Sequence, residues 1–207
     1  MDRGPGCKSD GRRQGLSVRS PIDPLQFRPA RPEDAGSIAA LHADSWRRHY
    51  RGAYSDSFLD GDVEADRRAV WSERLGHPEG ATATILAEEQ GQLVGFVHVV
   101  LDDDPTWGAL IDNLHVVHGR KRSGIGTRLL ARAAAAVVDR GAGGVYLWVL
   151  DQNVAAQAFY DARGGRSVGQ REVRPPGGVP GRLNGSPLAL RYVWPDPRTL
   201  MAGSSLT

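Results

Sequence analysis

The stretch Ile111-Asp-Asn-Leu-His-Val-Val-His-Gly-Arg-Lys-Arg-Ser-Gly-Ile-Gly-Thr-Arg-Leu-Leu130, with the Ala-rich run that follows it to Asp139, decides how the chain is to be read. An apolar strand pattern gives way to a basic turn punctuated by Gly119, Gly124 and Gly126, and the turn gives way to a strong helix former. Glycine lets the backbone approach a ligand, and the amides from Ser123 to Thr127 fall where the helix leaves its first N–H groups without partners. Those donors and the helix dipole favour an anion, and Arg120, Lys121 and Arg122 add cationic charge that suits a pyrophosphate. The expected ligand is a nucleotide phosphate.

Two familiar phosphate loops do not fit. Walker A needs a lysine directly after its second glycine, whereas Gly124 is followed by Ile125 and Gly126. A dinucleotide fingerprint needs a third glycine where this chain has Leu129. The loop resembles instead the acetyl-CoA signature of the GNAT superfamily of N-acyltransferases, Gln/Arg-x-x-Gly-x-Gly/Ala, with Lys121, Gly124 and Gly126 in the three places. Lys121 departs from the usual Gln or Arg; the departure is mild, because backbone amides do most of the pyrophosphate binding in that family.

A chain of 207 residues predicts one domain with loose ends. The net charge of +2, spread over mixed acidic and basic residues, speaks against a nucleic-acid protein. A lone Cys7 excludes an internal disulfide framework, no apolar run reaches membrane-spanning length, and the N-terminus lacks a signal-peptide core, so the expected location is cytoplasmic. Residues 1–24, rich in Gly, Arg, Ser and Asp, predict a disordered tail; a basic arm that touches nucleic acid is the alternative, weakened by Asp2 and Asp10.

Along the chain the pattern predicts a short strand at Leu25 to Arg28, a helix opened by Pro32-Glu33-Asp34, a bend through Arg47 to Gly52, and a second helix from about Asp62 to Leu75. A hairpin follows, Thr82 to Ala87 and Leu93 to Leu101, then an acidic loop at Asp102 to Asp104 and a strand from Gly108 to Val117. Beyond the phosphate loop come a helix from Gly126 to Gly141, a strand at Val145 to Leu150, and a helix at Val154 to Ala162 capped by Asn153. Strands near Ser167 to Arg174 and Pro187 to Val193 end the pattern, with a frayed tail over residues 195–207.

This element order is similar to that of the GNAT fold, and Leu147 to Tyr160 resembles the family's later motif of strand, Asn, and a helix carrying a Tyr before a Gly pair. The resemblance covers residues 25–194 and implies an α/β (α+β) fold, with a mixed central sheet of about six to seven strands flanked by about four helices. It implies an N-acetyltransferase that takes its acetyl group from acetyl-CoA. The backbone at Leu114, Val116 and Val117 would pair with the pantetheine arm; Lys121, Arg122, Ser123, Gly124, Ile125, Gly126 and Thr127 would hold the pyrophosphate; Asn153 would contact the pantetheine or only cap its helix. Tyr160 would be the general acid that protonates the leaving thiolate, the alternative being a core aromatic beside Phe159 and Trp148. The amide near Val116 would stabilise the oxyanion, and direct attack by the amine leaves Cys7 without a nucleophilic role.

For the base that takes the amine proton, Asp112 and His115 are the candidates; they point to opposite faces if the strand is regular, so that at most one meets the substrate. The alternative is a hydrogen-bonded core histidine, a polar strand end and a catalytic water. The segment from Trp46 to Tyr54, with Trp46, His49 and Tyr50 as lining residues, and the loop from Pro175 to Asn184 would form the acceptor side, and Asp102 to Asp104 would attract a cationic amine. A small-molecule amine is favoured over a protein N-terminus or lysine. No membrane partner is expected, and the family allows a homodimer that no exposed apolar stripe here demands. A non-catalytic acyl-CoA-binding module is the competing reading.

Overall fold

The computed structural model describes Met1 and residues 25–202. The proposed N-terminal tail, with Cys7, and the last residues of the C-terminal tail lie outside the described residues. Seven strands form one sheet: β1 Gln26–Pro29, β2 Thr82–Glu89, β3 Gln92–Asp104, β4 Gly108–Val116, β5 Val145–Leu150, β6 Arg166–Glu172 and β7 Leu188–Trp194, in the spatial order β1-β2-β3-β4-β5-β7-β6. Every neighbouring pair is antiparallel except β4 and β5. Among the described residues five α-helices accompany it, one more than expected: α1 Ala35–His49, α2 Asp56–Asp60, α3 Val63–Gly76, α4 Ile125–Asp139 and α5 Val154–Asp161. The mixed α/β architecture is the one expected. The short α2 falls between the expected bend and the expected second helix, where Phe58 and Leu59 bury themselves beside Trp46 and Val63.

Two apolar layers cover the sheet. The helix α4 presents Ile125, Leu129, Leu130, Ala133, Ala134 and Val137, spaced three and four apart, to Val97, Ile111, Val145 and Leu147 on one face. On the other, Ile38 and Ala39 of α1 and Trp71 of α3 close on Leu86 and Phe96. The first turn at Pro32–Asp34 is a 3-10 turn that leads into α1, and Arg28 pins it by bonds of 2.7 and 2.8 Å to Asp34.

Two expectations change at the ends of elements. Asp102 to Asp104 is the end of β3 rather than a loop. The chain does not fray at Pro195: a 3-10 turn at Pro197–Leu200 docks on α4, with Leu200 buried in the main core. Among the described residues no helix is long and apolar enough to cross a membrane.

Candidate active site

The parallel pair at the centre of the sheet makes the site. β4 and β5 pair only at Ala109↔Val145 and Leu110↔Tyr146, although β4 runs on to Val116 and β5 to Leu150. Beyond Leu110 the two strands part, and that edge of β4, with Leu114 and Val116 on it, faces no strand. Unpaired strand groups of this kind are ready to bond an extended ligand. Leu114 and Val116 pack their side chains into the main core.

The loop below the gap is built as its spacing requires. A 3-10 turn at His118–Arg120 follows Val117, and Arg122 (φ 65°) and Gly124 (φ 82°) are both left-handed before α4 begins. Gly124 is the residue before the helix and relieves the strain that a side chain would meet at that φ. The first intrahelical bond is donated by Arg128 N–H to the Gly124 carbonyl, so the amides of Ile125, Gly126 and Thr127 precede the helical ladder. Ser123 Oγ donates to the Arg120 carbonyl at 2.5 Å and holds the turn. Lys121 lies with Nζ 2.5 Å from Nε2 of His49, the last residue of α1. Burial is the main cause that lowers the pKa of both groups.

The helix α5 closes the other side. A Cβ at Gly126 would sit 3.6 Å from the Phe159 ring, an ordinary contact distance that puts the Phe159 side chain of α5 beside the start of α4. The next residue, Tyr160, is 9% exposed and stands among Phe159, Tyr192 and Trp194. Burial raises the pKa of its hydroxyl, so the phenol keeps its proton. Asn153 caps α5, its side-chain oxygen accepting from Ala156 N–H at 3.3 Å. Asn153 therefore caps its helix, one of its two expected roles.

The relation between Asp112 and His115 differs from that of a regular strand. β3 and β4 slip register between His98↔Asn113 and Val99↔Ile111, which leaves Asp112 as the extra residue of a bulge. Ile111 and Leu114 turn to the α4 side, whereas Asp112, Asn113 and His115 all turn toward α1 and α3. Asp112 and Asn113 both bond Arg74, at 2.7 and 3.2 Å, and His115 Nδ1 lies 2.8 Å from Ser45 Oγ. The two candidate bases share a face. His115 is 9% exposed and burial lowers its pKa to about 3, so it is neutral. Arg74 was not foreseen as Asp112's partner, because nothing local ties position 74 to position 112.

On the acceptor side, Trp46 stacks on Tyr50 with centroids 5.3 Å apart, and Tyr54 lies 5.1 Å from Trp46. Arg67 sits over the Trp46 ring at 4.3 Å. The loop between β6 and β7 closes against this group, Asn184 donating to the carbonyls of Ala53 and Tyr54 and Arg182 pairing with Asp66. A groove of about 280 Å³ lies where these segments meet the end of β5, lined by Gly52, Leu150, Gln152, Asn184 and Leu188 among others. The acids at the end of β3 offer no free anionic patch. Asp102 pairs with Arg140, Asp103 accepts from the Tyr146 hydroxyl, and Asp104 accepts from the amides of Thr106 and Trp107. No cluster of His, Cys, Asp and Glu suited to a metal ion occurs among the described residues.

Known proteins resemble this chain in sequence and in fold. A "Probable N-acetyltransferase Rv2775" of Mycobacterium tuberculosis is 29% identical over 143 residues, which span 67% of this chain and 78% of that protein. Another protein of the same species, "Uncharacterized N-acetyltransferase Rv2669", is 30% identical over 142 residues, 68% of this chain and 88% of its own. The crystal structure of the PaiA N-acetyltransferase of Thermoplasma acidophilum in complex with coenzyme A superposes with a TM-score of 0.61 at 17% identity, covering 81% of this chain and 98% of that one, a likeness of fold. Residues 43–164, more than half of the chain, match the model of the acetyltransferase (GNAT) family. This chain belongs to the GNAT acetyltransferase family, enzymes whose acetyl donor is acetyl-CoA.

Proposed function

We propose that the enzyme transfers the acetyl group of acetyl-CoA to a primary amine of a small molecule, by direct attack, with Tyr160 as general acid. The pyrophosphate would rest on the amides from Lys121 to Thr127, and the pantetheine arm would run along the free edge of β4 beside Leu114, Val116 and Val117, past Asn153. The neutral amine attacks the thioester carbonyl, and a C–N bond forms as the C–S bond breaks. The amine proton passes to Asp112 or to water, and the thiolate takes a proton from the Tyr160 hydroxyl. Asp112, 2.7 Å from Arg74, is a carboxylate on the acceptor face and suits the first transfer. His115, neutral and bonded to Ser45, is better suited to shaping the strand.

The observation that carries this reading is the phenol of Tyr160, kept protonated by burial and placed one residue beyond Phe159, whose ring a Cβ at Gly126 of the phosphate loop would meet at 3.6 Å. A purely structural aromatic would serve as well with Phe at this position. Tyr160→Phe tests the point, because general acid catalysis is worth about 10²- to 10⁴-fold. Turnover, read as thiol release from acetyl-CoA, should fall by that order while CoA still raises the melting temperature. Equal turnover in both forms would remove Tyr160 from the mechanism. CoA stabilisation without turnover on any amine would favour the non-catalytic module. We read residues 25–194 as the catalytic domain and the cytoplasm as its place, where acetyl-CoA is made and used.

A further inference from the structure

The acceptor face carries a feature that the transfer chemistry does not use. Residues paired directly across antiparallel strands share a face. Trp148 of β5 pairs with Arg191 of β7, and Arg191 pairs with Gly169 of β6, two residues from Arg171. Arg171 therefore turns to the same side as Arg191, and both guanidinium groups lie over the Trp148 ring, at 4.0 and 4.6 Å from its centroid. Arg191 also lies 4.7 Å from Trp107.

Neither arginine has a carboxylate within ion-pairing reach among the described residues. Arg28, Arg47, Arg48, Arg51, Arg67, Arg68, Arg74, Arg120, Arg140, Arg182 and Arg198 all do. Arg191 Nε is buried and without a hydrogen-bond partner. Burial, then the nearby Arg174 and Arg191, act against the charge on Arg171, while Tyr146 and Asp112 favour it. Two guanidinium groups held on one indole with no anion between them match what a carboxylate or phosphate needs, since each offers a planar fork of donors. A Cβ at Gly169, opposite Arg191, would meet nothing within 4 Å, so the approach is open.

The place of this pair relates it to the reaction. Leu110 of β4 pairs with Tyr146 of β5, so Asp112 turns to the same side as Trp148, and Arg171 feels the Asp112 charge. We infer that the acceptor is a small amine that also carries an anionic group, a carboxylate or a phosphate, held by Arg171 and Arg191 beside Trp148 while its amine lies toward Asp112. This rests on the amine acetylation proposed above and adds the second half of the acceptor's chemistry.

The test compares amines that differ only in the anion: ω-amino acids of increasing length against their primary amides, and O-phosphoethanolamine against ethanolamine. Thiol release gives kcat/KM for each, and calorimetry on the CoA-saturated protein gives binding whether or not turnover occurs. The anionic member of at least one pair should be preferred about tenfold or more, the worth of a charge-assisted hydrogen bond. The two pairs decide between carboxylate and phosphate. Arg171→Gln and Arg191→Gln should each pull that preference toward unity through KM, and Arg191→Lys should restore part of it. Arg171 is exposed at the sheet edge, so its replacement leaves the core intact. Turnover on neutral amines with no anionic preference would overturn the anion site and leave the transferase standing. Anion binding that depends on Arg171, without turnover on any amine, would keep the site and overturn the transferase. Arginine-dependent acetylation confined to acidic peptides would overturn the small-molecule acceptor.

Discussion

Lowering the pH from about 7.5 to about 5 should remove about 4 kcal/mol of folding stability through His98 and His115 alone, with buried His42 acting in the same direction. His42, His98 and His115 are 1%, 4% and 9% exposed. Burial is the main cause that holds His98 down to about 4 and His115 to about 3, with Arg74 adding to it at His98 and His49 at His115, while Asp112 opposes it at both. Burial, then the His115 ring, puts His42 well below 6.5. At about pH 5 His98 and His115 are neutral in the folded chain, whereas an unfolded histidine, with a pKa near 6.5, is almost fully protonated. Each therefore binds about one proton on unfolding and costs the native state about 1.4 kcal/mol per pH unit, which integrates to about 2 kcal/mol per histidine over this range.

The sign follows from the direction of the shifts. The contribution is complete above about 6.5 and is lost as the pH falls through the window toward the folded values. The carboxylates that titrate low, such as Asp34 bonded to Arg28, lose their contribution only below about 4 and stay outside it. The total is a large fraction of the whole stability of a domain, roughly 5–15 kcal/mol. Urea unfolding followed by tryptophan fluorescence, at several pH values across the range, measures it. His98→Gln should keep the bond to Thr84 and reduce the slope by one proton. An unfolding free energy that changed by less than about 1 kcal/mol across the window would refute the reasoning.

Three further outcomes are expected. Gly95→Ala would place a Cβ 3.0 Å from the His115 carbonyl and 3.1 Å from Leu129. Overpacking of this kind costs about 1–3 kcal/mol and should lower the melting temperature by several degrees. Gly124→Ala meets no neighbour but must hold a φ of 82°, so calorimetry should find CoA binding weakened by about 1–2 kcal/mol, and undiminished affinity would remove the loop from the pyrophosphate site. Asn153→Ala removes the cap of α5 and should destabilise by about 1 kcal/mol in thermal melts; a loss of CoA affinity beyond that would assign Asn153 a pantetheine contact as well.

The parts legible in the sequence were those in which neighbours along the chain determine one another. Val145–Leu150 and the start of its following helix at Asn153 stand where the pattern placed them, because a short apolar run, β-branching and capping are local. The phosphate loop was legible for the same reason, its glycines and helix start lying within a few residues of one another. The short α2 was not, since its burial depends on Trp46 and Val63 of other helices. The turn at Pro197–Leu200 was missed because only α4 supplies the surface on which it packs.

The sequence by itself determined the family, the order of the elements and the anion-binding turn. Tertiary structure alone decided which face Asp112 and His115 share, because a one-residue bulge against His98 and Val99 reverses the alternation that a regular strand would impose. It also decided that Arg74 holds Asp112, that the acids ending β3 are already bonded, and that Arg171 and Arg191 meet over Trp148. Those contacts join residues far apart in the chain, and their geometry follows from strand register and sheet order, which no local pattern encodes.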